Sequence, residues 1–509
     1  MMTARTLSAG HRLSQLLEGL APVAPEQDVE IVGMAIDSRR IRAGELFLAC
    51  AGTQGHGLEH VDAAVAAGAA AVAWEKAPGA NPPSGMKLSR TVPMIAVEAL
   101  GRHAGAIAAR FFGHPSADLQ VVGVTGTDGK TSCSHFIAQA FDEEAAPCGL
   151  IGTLGYGRYG HLESGLHTTP DAITLQSELA RLRDLGARRV VMEVSSHALD
   201  QNRVGAVAIE TAVLTNLGRD HLDYHGDLAG YAAAKRLLFR HPGLRHAVLN
   251  GDDPFGRELL TSLEGNVQPI LYGFGQSVDA AGVQFVRASE PETDVDGLRM
   301  QVHSSWGDGE LASGLLGRFN AVNLLAAAAV LLVSGMPLEQ VLMRLCATRT
   351  VAGRMERVGG APAQPLVVVD YAHTPQALEH VLTALRAHCQ GDLWCVFGAG
   401  GDRDRGKRPL MGAAVERLAD HAVVTDDNPR HEDATQIVVD ILAGMHDPDA
   451  AYVERDRARA IGLAIEQARP GDVVLVAGKG HEAYQQIGEK RLPFSDREQV
   501  LAALGRSAR

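Results

Sequence analysis

The sequence predicts an α/β protein in three blocks, with parallel sheets in the second and third. Three observations carry that expectation. Near-continuous apolar runs recur, among them "LQVVGV" at 119–124, "RRVVMEV" at 188–194, "PLVVVD" at 365–370 and "DVVLVAG" at 472–478, and unbroken apolarity marks strands covered on both faces. Stretches of helical spacing lie between them, as in "TLQSELARLRDLG" at 174–186, where Leu175, Leu179, Leu182 and Leu185 share a face and Gly186 supplies a C-terminal cap. Finally, 509 residues, 46% of them hydrophobic, exceed a single core.

The first block, residues 1–100, alternates strands at 29–36, 69–75 and 93–97 with a helix at 60–69, and its Pro/Gly-rich stretch 76–87 reads as a surface loop. The second, 101–350, carries strands at 119–124, 188–194, 211–216 and 246–250, a helix at 132–141, and a buried helix at 324–333 whose apolar run is too short to span a membrane. The third, 351–509, has strands at 365–370, 393–398, 421–426 and 472–478.

Chemistry first enters at "GVTGTDGKTS", 123–132. A strand, a glycine turn and a helix place backbone N–H groups and a helix N-terminus around an anion. In that arrangement Gly126, Thr127, Asp128, Gly129, Lys130, Thr131 and Ser132 form the phosphate loop, with Lys130 reaching the outer phosphates and Thr131 on Mg²⁺. The strict Walker pattern would place a Gly at Val124; the glycines fall instead at 123, 126 and 129. The loop implies ATP or GTP and leaves the phosphoryl acceptor open.

The remaining polar motifs begin where strands end, which is where open α/β sheets bind ligands. "EVSSHALDQNR" and "TNLGRDHLDYHG" do so in the second block; "DYAHTP", "GAGGDRDRGKRP", "DDNPRHED" and "GKGHE" do so in the third. Two polar rims are therefore expected to face each other across a cleft. Glu193, ending a strand, and His221, beside Asp220, join Thr131 as candidate Mg²⁺ ligands. Lys235, read alone, is a surface helix lysine.

Charge and cysteines narrow the class. A net charge of −13 argues against a nucleic-acid binder. The six cysteines show neither a CxxC pair nor zinc spacing, which suits a reducing cytoplasm and single buried thiols. The N-terminus lacks the apolar stretch of a signal peptide, so the chain is expected in the cytoplasm.

The ordered motifs from Asp37 to Tyr484, including GTDGKT, EVSSHALDQNR, GRFNAVNLLAA, GRMERV, DYAHTP, DDNPR and AGKGHE, closely resemble the Mur ligases of peptidoglycan synthesis, nearest the branch that adds the third stem-peptide residue. The resemblance implies an N-terminal UDP-binding domain, a central ATP-binding domain and a C-terminal Rossmann-like domain. It implies that ATP phosphorylates a carboxylate, the γ-carboxylate of D-glutamate in UDP-MurNAc-L-Ala-D-Glu, and that an amine attacks the acyl phosphate. Lys130 and Mg²⁺ would hold the transferring phosphoryl, and Lys235 would be carbamylated by CO₂ to help position Mg²⁺ near Glu193 and His221. Asn320 would contact adenine, while Arg354 and Asp370 would hold phosphates and ribose. Ile36, Ser38, Thr53, Gln54 and Gly55 would bind the UDP-sugar, and Thr168, Thr169, Ser195, Gln201 and Arg203 the muramoyl peptide. A monomer is expected.

Two positions depart from the family pattern: Asp128 and His167 stand where relatives usually carry Asn. Asp128 is expected to point away and hydrogen-bond its own turn, because an unpaired anion facing ATP would be costly. A folylpolyglutamate synthase, from the same family, lacks the "DSRR" block, and a nucleotide switch would need an NKxD motif that is missing. The amino acid is expected to be meso-diaminopimelate rather than L-lysine. The DNPR form, Asp427, Asn428, Pro429 and Arg430, resembles diaminopimelate-adding members, and the Arg430 fork matches the far carboxylate. Arg403 would bind the other carboxylate, and Gly478 and Glu482 the ammonium beside it. The bland alternative pairs Arg430 with Glu432 or Asp433.

Overall fold

The computed structural model describes residues 10–52, 55–76, 91–275, 278, 282–360 and 364–507. The chain divides into two compact units, Met1–Leu271 with Asp279–Gln284, and Tyr272–Val278 with Phe285–Arg509.

In the first unit, four parallel strands run in the order Gly33–Ala35, Glu45–Ala49, Ala71–Lys76 and Met94–Glu98. Side chains alternate across a strand, so Leu46 and Leu48 join Leu100, Ile107 and Phe111 on one face while Phe47 and Ala49 meet Val61 and Val65 on the other. The run 29–36 is not one strand. Glu30–Ile31 pairs antiparallel with His11–Arg12, and Val32 turns outward with its N–H given to the Gly44 carbonyl. The expected loop at 76–87 lies outside the described residues beyond Lys76.

A second sheet of this unit runs Cys148–Gly152, Arg189–Glu193, Gln120–Thr125, Ile209–Leu214 and His246–Asn250, all parallel. Gln120–Thr125 is thus flanked by the strands that end at Glu193 and Leu214, which sets the place of the loop that follows it. The expected helices form at Lys130–Phe141 and Ala172–Asp184, the latter capped by Asp171 and closed by Gly186 in the left-handed region. A polar antiparallel extension, Gly155–Arg158 and His161–Glu163, carried no apolar run to announce it.

In the second unit, strands at Glu292–Asp294, Gly297–Ser304 and Gly307–Ser313 pair antiparallel, unlike the parallel sheet expected of the second block. Gly297–Ser304 alternates buried and exposed positions, the pattern of a half-covered strand. The apolar run 324–333 lies within the helix Arg318–Val333, buried almost throughout. The last sheet runs Glu356–Gly359, Leu366–Asp370, Val473–Ala477, Leu393–Phe397, His421–Val424 and Tyr452–Val453, antiparallel only at its first edge. Leu366, Val368 and Cys395 pack into one face and Val367, Val369 and Val396 into the other, so both faces are covered.

All six cysteines are free, but they are not uniformly buried: Cys133, Cys148 and Cys395 are, Cys50 and Cys389 are half-buried, and Cys346 is exposed at the end of the helix Leu338–Cys346. Among the described residues, no helix is long and apolar enough to cross a membrane.

Candidate active site

Each motif starts at a strand end as expected. In the first unit, Gly126 follows Gln120–Thr125 at φ 154°, where an added Cβ would run into the Thr215 hydroxyl. Gly129, at φ 80°, turns the chain into the helix that starts at Lys130. The loop is moored from the neighbouring strand end. Asp128 N–H donates to Asn216 Oδ1 at 2.9 Å, while Thr215 Oγ1 and Asn216 Nδ2 donate to the Asp128 carbonyl at 2.6 and 3.2 Å. The Asp128 carboxylate is exposed, within electrostatic reach of Lys130 and Lys235, and makes no hydrogen bond to its own turn among the described residues, which corrects the expected bond.

Two lysines meet at this loop. Lys130 Nζ donates to the Gly126 and Thr127 carbonyls at 2.9 and 2.8 Å, and Lys235 Nζ donates to the same Gly126 carbonyl at 2.7 Å. Lys235 is 1% exposed, which overturns its reading as a surface lysine. Burial, reinforced by the Lys130 charge, lowers its pKa to about 6. Tyr231 lies beneath it, the ring centroid 4.3 Å from Nζ, and the Tyr231 hydroxyl shares a 3.3 Å hydrogen bond with Thr127 Oγ1.

Glu193 is 1% exposed. Burial raises its pKa, while hydrogen bonds from Thr153 and Thr131 and the Lys130 charge oppose the rise. Thr131 Oγ1 donates to Oε2 at 2.9 Å, Thr153 Oγ1 to Oε2 at 3.1 Å and Thr153 N–H to Oε1 at 2.8 Å. Thr153 Oγ1 lies 3.1 Å from Thr168 Oγ1, and Thr169 Oγ1 bridges the Glu193 carbonyl and the Ser195 N–H. Arg203 donates to the Thr169 carbonyl and to Gln201 Oε1. The structure therefore brings Thr131, Glu193, Thr168, Thr169, Ser195, Gln201 and Arg203 into one connected network. His167 is exposed, its backbone clasped by the Tyr156 hydroxyl.

Among the described residues, His221 is not hydrogen-bonded into that network, though its ring centroid lies 6.2 Å from that of Tyr231, the ring beneath Lys235. It is exposed, in the left-handed region, 3.3 Å from Asp220 and edge-on to His197. Among the described residues no group of three or more His, Cys, Asp or Glu could hold a metal ion. Toward the N-terminus, Asp37 accepts the Arg39 fork through both oxygens, which holds its pKa down at about 2. Ile36, Ser38 and Gly55 are at least partly exposed; Thr53 and Gln54 lie outside the described residues.

In the second unit, Asn320 is buried, with Nδ2 on the Leu316 carbonyl. Asp370 is 5% exposed, its oxygens accepting the Met355 and Ala372 N–H groups at 2.7 Å, and burial raises its pKa. Arg354 lies 5.1 Å from the Tyr371 ring. Arg430, in the left-handed region, donates from Nη1 to the Gly401 carbonyl at 2.7 Å. Its acidic neighbours are otherwise engaged: Glu432 pairs with Arg408 and Arg405, and Asp433 caps the helix Ala434–Leu442. The bland alternative for Arg430 thus fails. Asn428 Nδ2 donates to Glu482 Oε2 at 2.9 Å, and Gly478, at φ 118°, has no room for a Cβ beside the Asp427 carboxylate. Arg403 is exposed.

Sequence reasoning missed Thr153, Thr215, Tyr231 and Lys479. Thr153 and Thr215 each stand just past a strand, a signal the strand-end rule could have used; Tyr231 and Lys479 needed tertiary packing to reveal them.

The chain matches family models described as Mur ligase family, catalytic domain over 30–111, Mur ligase middle domain over 124–331, and Mur ligase, glutamate ligase domain over 353–480. It is 52% identical over 497 residues to a UDP-N-acetylmuramoyl-L-alanyl-D-glutamate--2,6-diaminopimelate ligase of Alkalilimnicola ehrlichii, covering 97% of this chain and 99% of that protein. A like-named protein of Pseudomonas aeruginosa is 50% identical over 489 residues, covering 96% and 98%. A solved structure of a ligase of that name aligns with a TM-score of 0.76 at 33% identity, covering 98% of this chain and all of that one.

Proposed function

The chain belongs to the Mur ligase family, and from that premise we propose that it is an ATP-dependent amide ligase of peptidoglycan synthesis. It joins meso-2,6-diaminopimelate to the γ-carboxylate of D-glutamate in UDP-MurNAc-L-Ala-D-Glu. The near-complete alignment with half-identical relatives of that name supports the reaction. The proposed domains are a UDP-binding 1–100, an ATP-binding 101–350 and an amino-acid-binding 351–509. The reaction is placed in the cytoplasm, with the chain acting as a monomer.

In this reading a γ-carboxylate oxygen attacks the γ-phosphorus of ATP and ADP leaves. The amine then attacks the acyl carbon through a tetrahedral intermediate, and phosphate departs with the oxygen that attacked. Lys130, now bonded to two loop carbonyls, swings to the transferring phosphoryl, and Gly126, Thr127, Asp128, Gly129, Thr131 and Ser132 cradle the ATP phosphates. The oxygen pair Thr131 Oγ1 and Glu193 Oε2, 2.9 Å apart, suits Mg²⁺, which commonly takes few protein oxygens and completes its shell with phosphates and water. Thr131, Glu193, His221 and a carbamylated Lys235 would hold it, and when bound it would neutralise phosphate charge. Asn320, Arg354 and Asp370 serve the nucleotide. Ile36, Ser38, Thr53, Gln54 and Gly55 serve the UDP-sugar, and Thr168, Thr169, Ser195, Gln201 and Arg203 the muramoyl peptide.

The amino acid's identity rests on one observation: Arg430 is left by Glu432 and Asp433 to pair with a carboxylate from outside. Arg403 takes the carboxylate at the reacting end. Glu482 and Gly478, expected from the sequence at the ammonium beside the Arg403 carboxylate, are reassigned: that nitrogen attacks and reacts as the free amine, so they take the ammonium that does not react. That group lies at the end read by Arg430, whose loop also carries Asp427, Asn428 and Pro429. An assay of ADP release with UDP-MurNAc-dipeptide and amino acid, separately and together, tests the proposal. Release only in the complete mixture is expected; hydrolysis indifferent to the amino acid would refute it.

A further inference from the structure

Lys479 has no role in the chemistry described so far. It belongs to the GKGHE motif, directly after the strand Val473–Ala477 and Gly478, and it is 0% exposed. A lysine ammonium is rarely buried so completely unless partners compensate its lost hydration. Here Nζ donates to Asn428 Oδ1 at 3.1 Å and Glu482 Oε2 at 3.2 Å, and the Tyr484 ring centroid lies 5.6 Å away.

These bonds determine how two neighbouring side chains are presented. Asn428 Oδ1 accepts from Lys479 and from the Gln486 N–H at 2.8 Å, which leaves its Nδ2 to donate to Glu482 Oε2 at 2.9 Å. Glu482 Oε2 therefore carries two donors, and among the described residues Oε1 carries none. A carboxylate pinned by one oxygen keeps the other available to accept from a ligand cation.

We infer that Lys479 is a positioning residue for amino-acid selectivity: it holds Asn428 and Glu482 so that Glu482 Oε1 meets the substrate's non-reacting ammonium. The inference rests on the amino-acid site proposed above and adds to it a buried cation that never touches the substrate. A brace of the loop alone would weaken every amino acid alike. A positioning residue should weaken only those that carry the far ammonium.

Two analogues separate the groups at the far end of meso-diaminopimelate. L-lysine keeps the far ammonium and lacks the carboxylate that Arg430 reads; L-2-aminopimelate keeps the carboxylate and lacks the ammonium. The test measures kcat and KM for all three with the unmutated enzyme, Lys479→Met and Lys479→Gln, together with KM for ATP and thermal unfolding. The unmutated enzyme should reject L-2-aminopimelate by about 10² or more, since a site built to pair a polar group discriminates strongly against its loss. In Lys479→Met that ratio should shrink at least about tenfold, through the KM of meso-diaminopimelate, with KM for ATP within about twofold and rejection of L-lysine retained. Lys479→Gln, which keeps a neutral donor, should fall between, and it carries the test if the Met variant does not fold. An undiminished rejection of L-2-aminopimelate in folded variants, or an equal loss for all three amino acids, would overturn the inference. Failure of the unmutated enzyme to prefer meso-diaminopimelate over L-lysine would instead overturn the parent reading of Arg430.

Discussion

Depriving the enzyme of CO₂ should inactivate it reversibly, and the reason lies at Lys235. A carbamate forms only on a neutral amine. An ordinary lysine at pH 7.5 is neutral in about one molecule per thousand, whereas a pKa of about 6 leaves about 97% neutral, a gain of roughly 10³ in the reactive form. Lys130 and Lys235 also share the Gly126 carbonyl, an arrangement that disfavours charge on both. Carbamylation would relieve that conflict by turning one cation into an anion while keeping an N–H for Gly126. The sign in pH follows. Between about 6 and 10.5 the unfolded chain holds more protons at this site than the folded one, so the stability of the unmodified protein rises with pH across that window. Below about pH 6 the amine protonates and the carbamate is lost. Enzyme stripped of CO₂ at pH 8 should lose at least about tenfold in kcat, recover on addition of bicarbonate, and show a carbamate resonance with ¹³C-carbonate in step with activity; Lys235→Arg, charged throughout, should lose about 10² or more. Full activity in CO₂-free buffer with a bare amine would refute the reasoning.

Other expectations concern single side chains. Arg430→Ala should cost about 2–5 kcal/mol in kcat/KM for meso-diaminopimelate, or roughly 30-fold to several thousand-fold, with KM for ATP little changed; steady-state kinetics with each substrate varied would reveal equal losses if the assignment is wrong. Thr153→Ala removes a 3.1 Å hydroxyl bond to Glu193 and should raise the Mg²⁺ concentration for half-maximal rate by about tenfold, with recovery in Thr153→Ser; an unchanged Mg²⁺ titration would count against it. Asp128→Asn should change KM for ATP by less than about tenfold, because the carboxylate is exposed; a larger fall would show that it repels the γ-phosphate.

What could be read from the sequence was what depends on local pattern. The buried parallel strands declared themselves by unbroken apolar runs, and the phosphate loop by Gly126, Gly129, Lys130 and Thr131 in register. The antiparallel strands of 292–313 did not, because half-covered strands mix exposed and buried residues, nor did the extension at 155–163, where glycines and polar residues leave no apolar run. Within the site, the strand end located Glu193 and the phosphate loop its partner Thr131, but Thr153, which gives Glu193 two further hydrogen bonds, went unread. Lys235 looked like a solvated helix residue because its burial comes from Tyr231 and the loop at Gly126, more than 100 residues earlier in the chain. Lys479 was hidden for a related reason: besides the local carboxylate of Glu482, its ammonium is held by the Asn428 amide from another strand end.

The most direct test of a ligase working through an acyl phosphate is to follow the oxygen that must change hands. With ¹⁸O in the D-glutamate γ-carboxylate of UDP-MurNAc-L-Ala-D-Glu, and ATP and meso-diaminopimelate present, one labelled oxygen should leave in each phosphate released, and the amide should keep the other. Phosphate free of label, formed at the full rate of amide synthesis, would contradict the account.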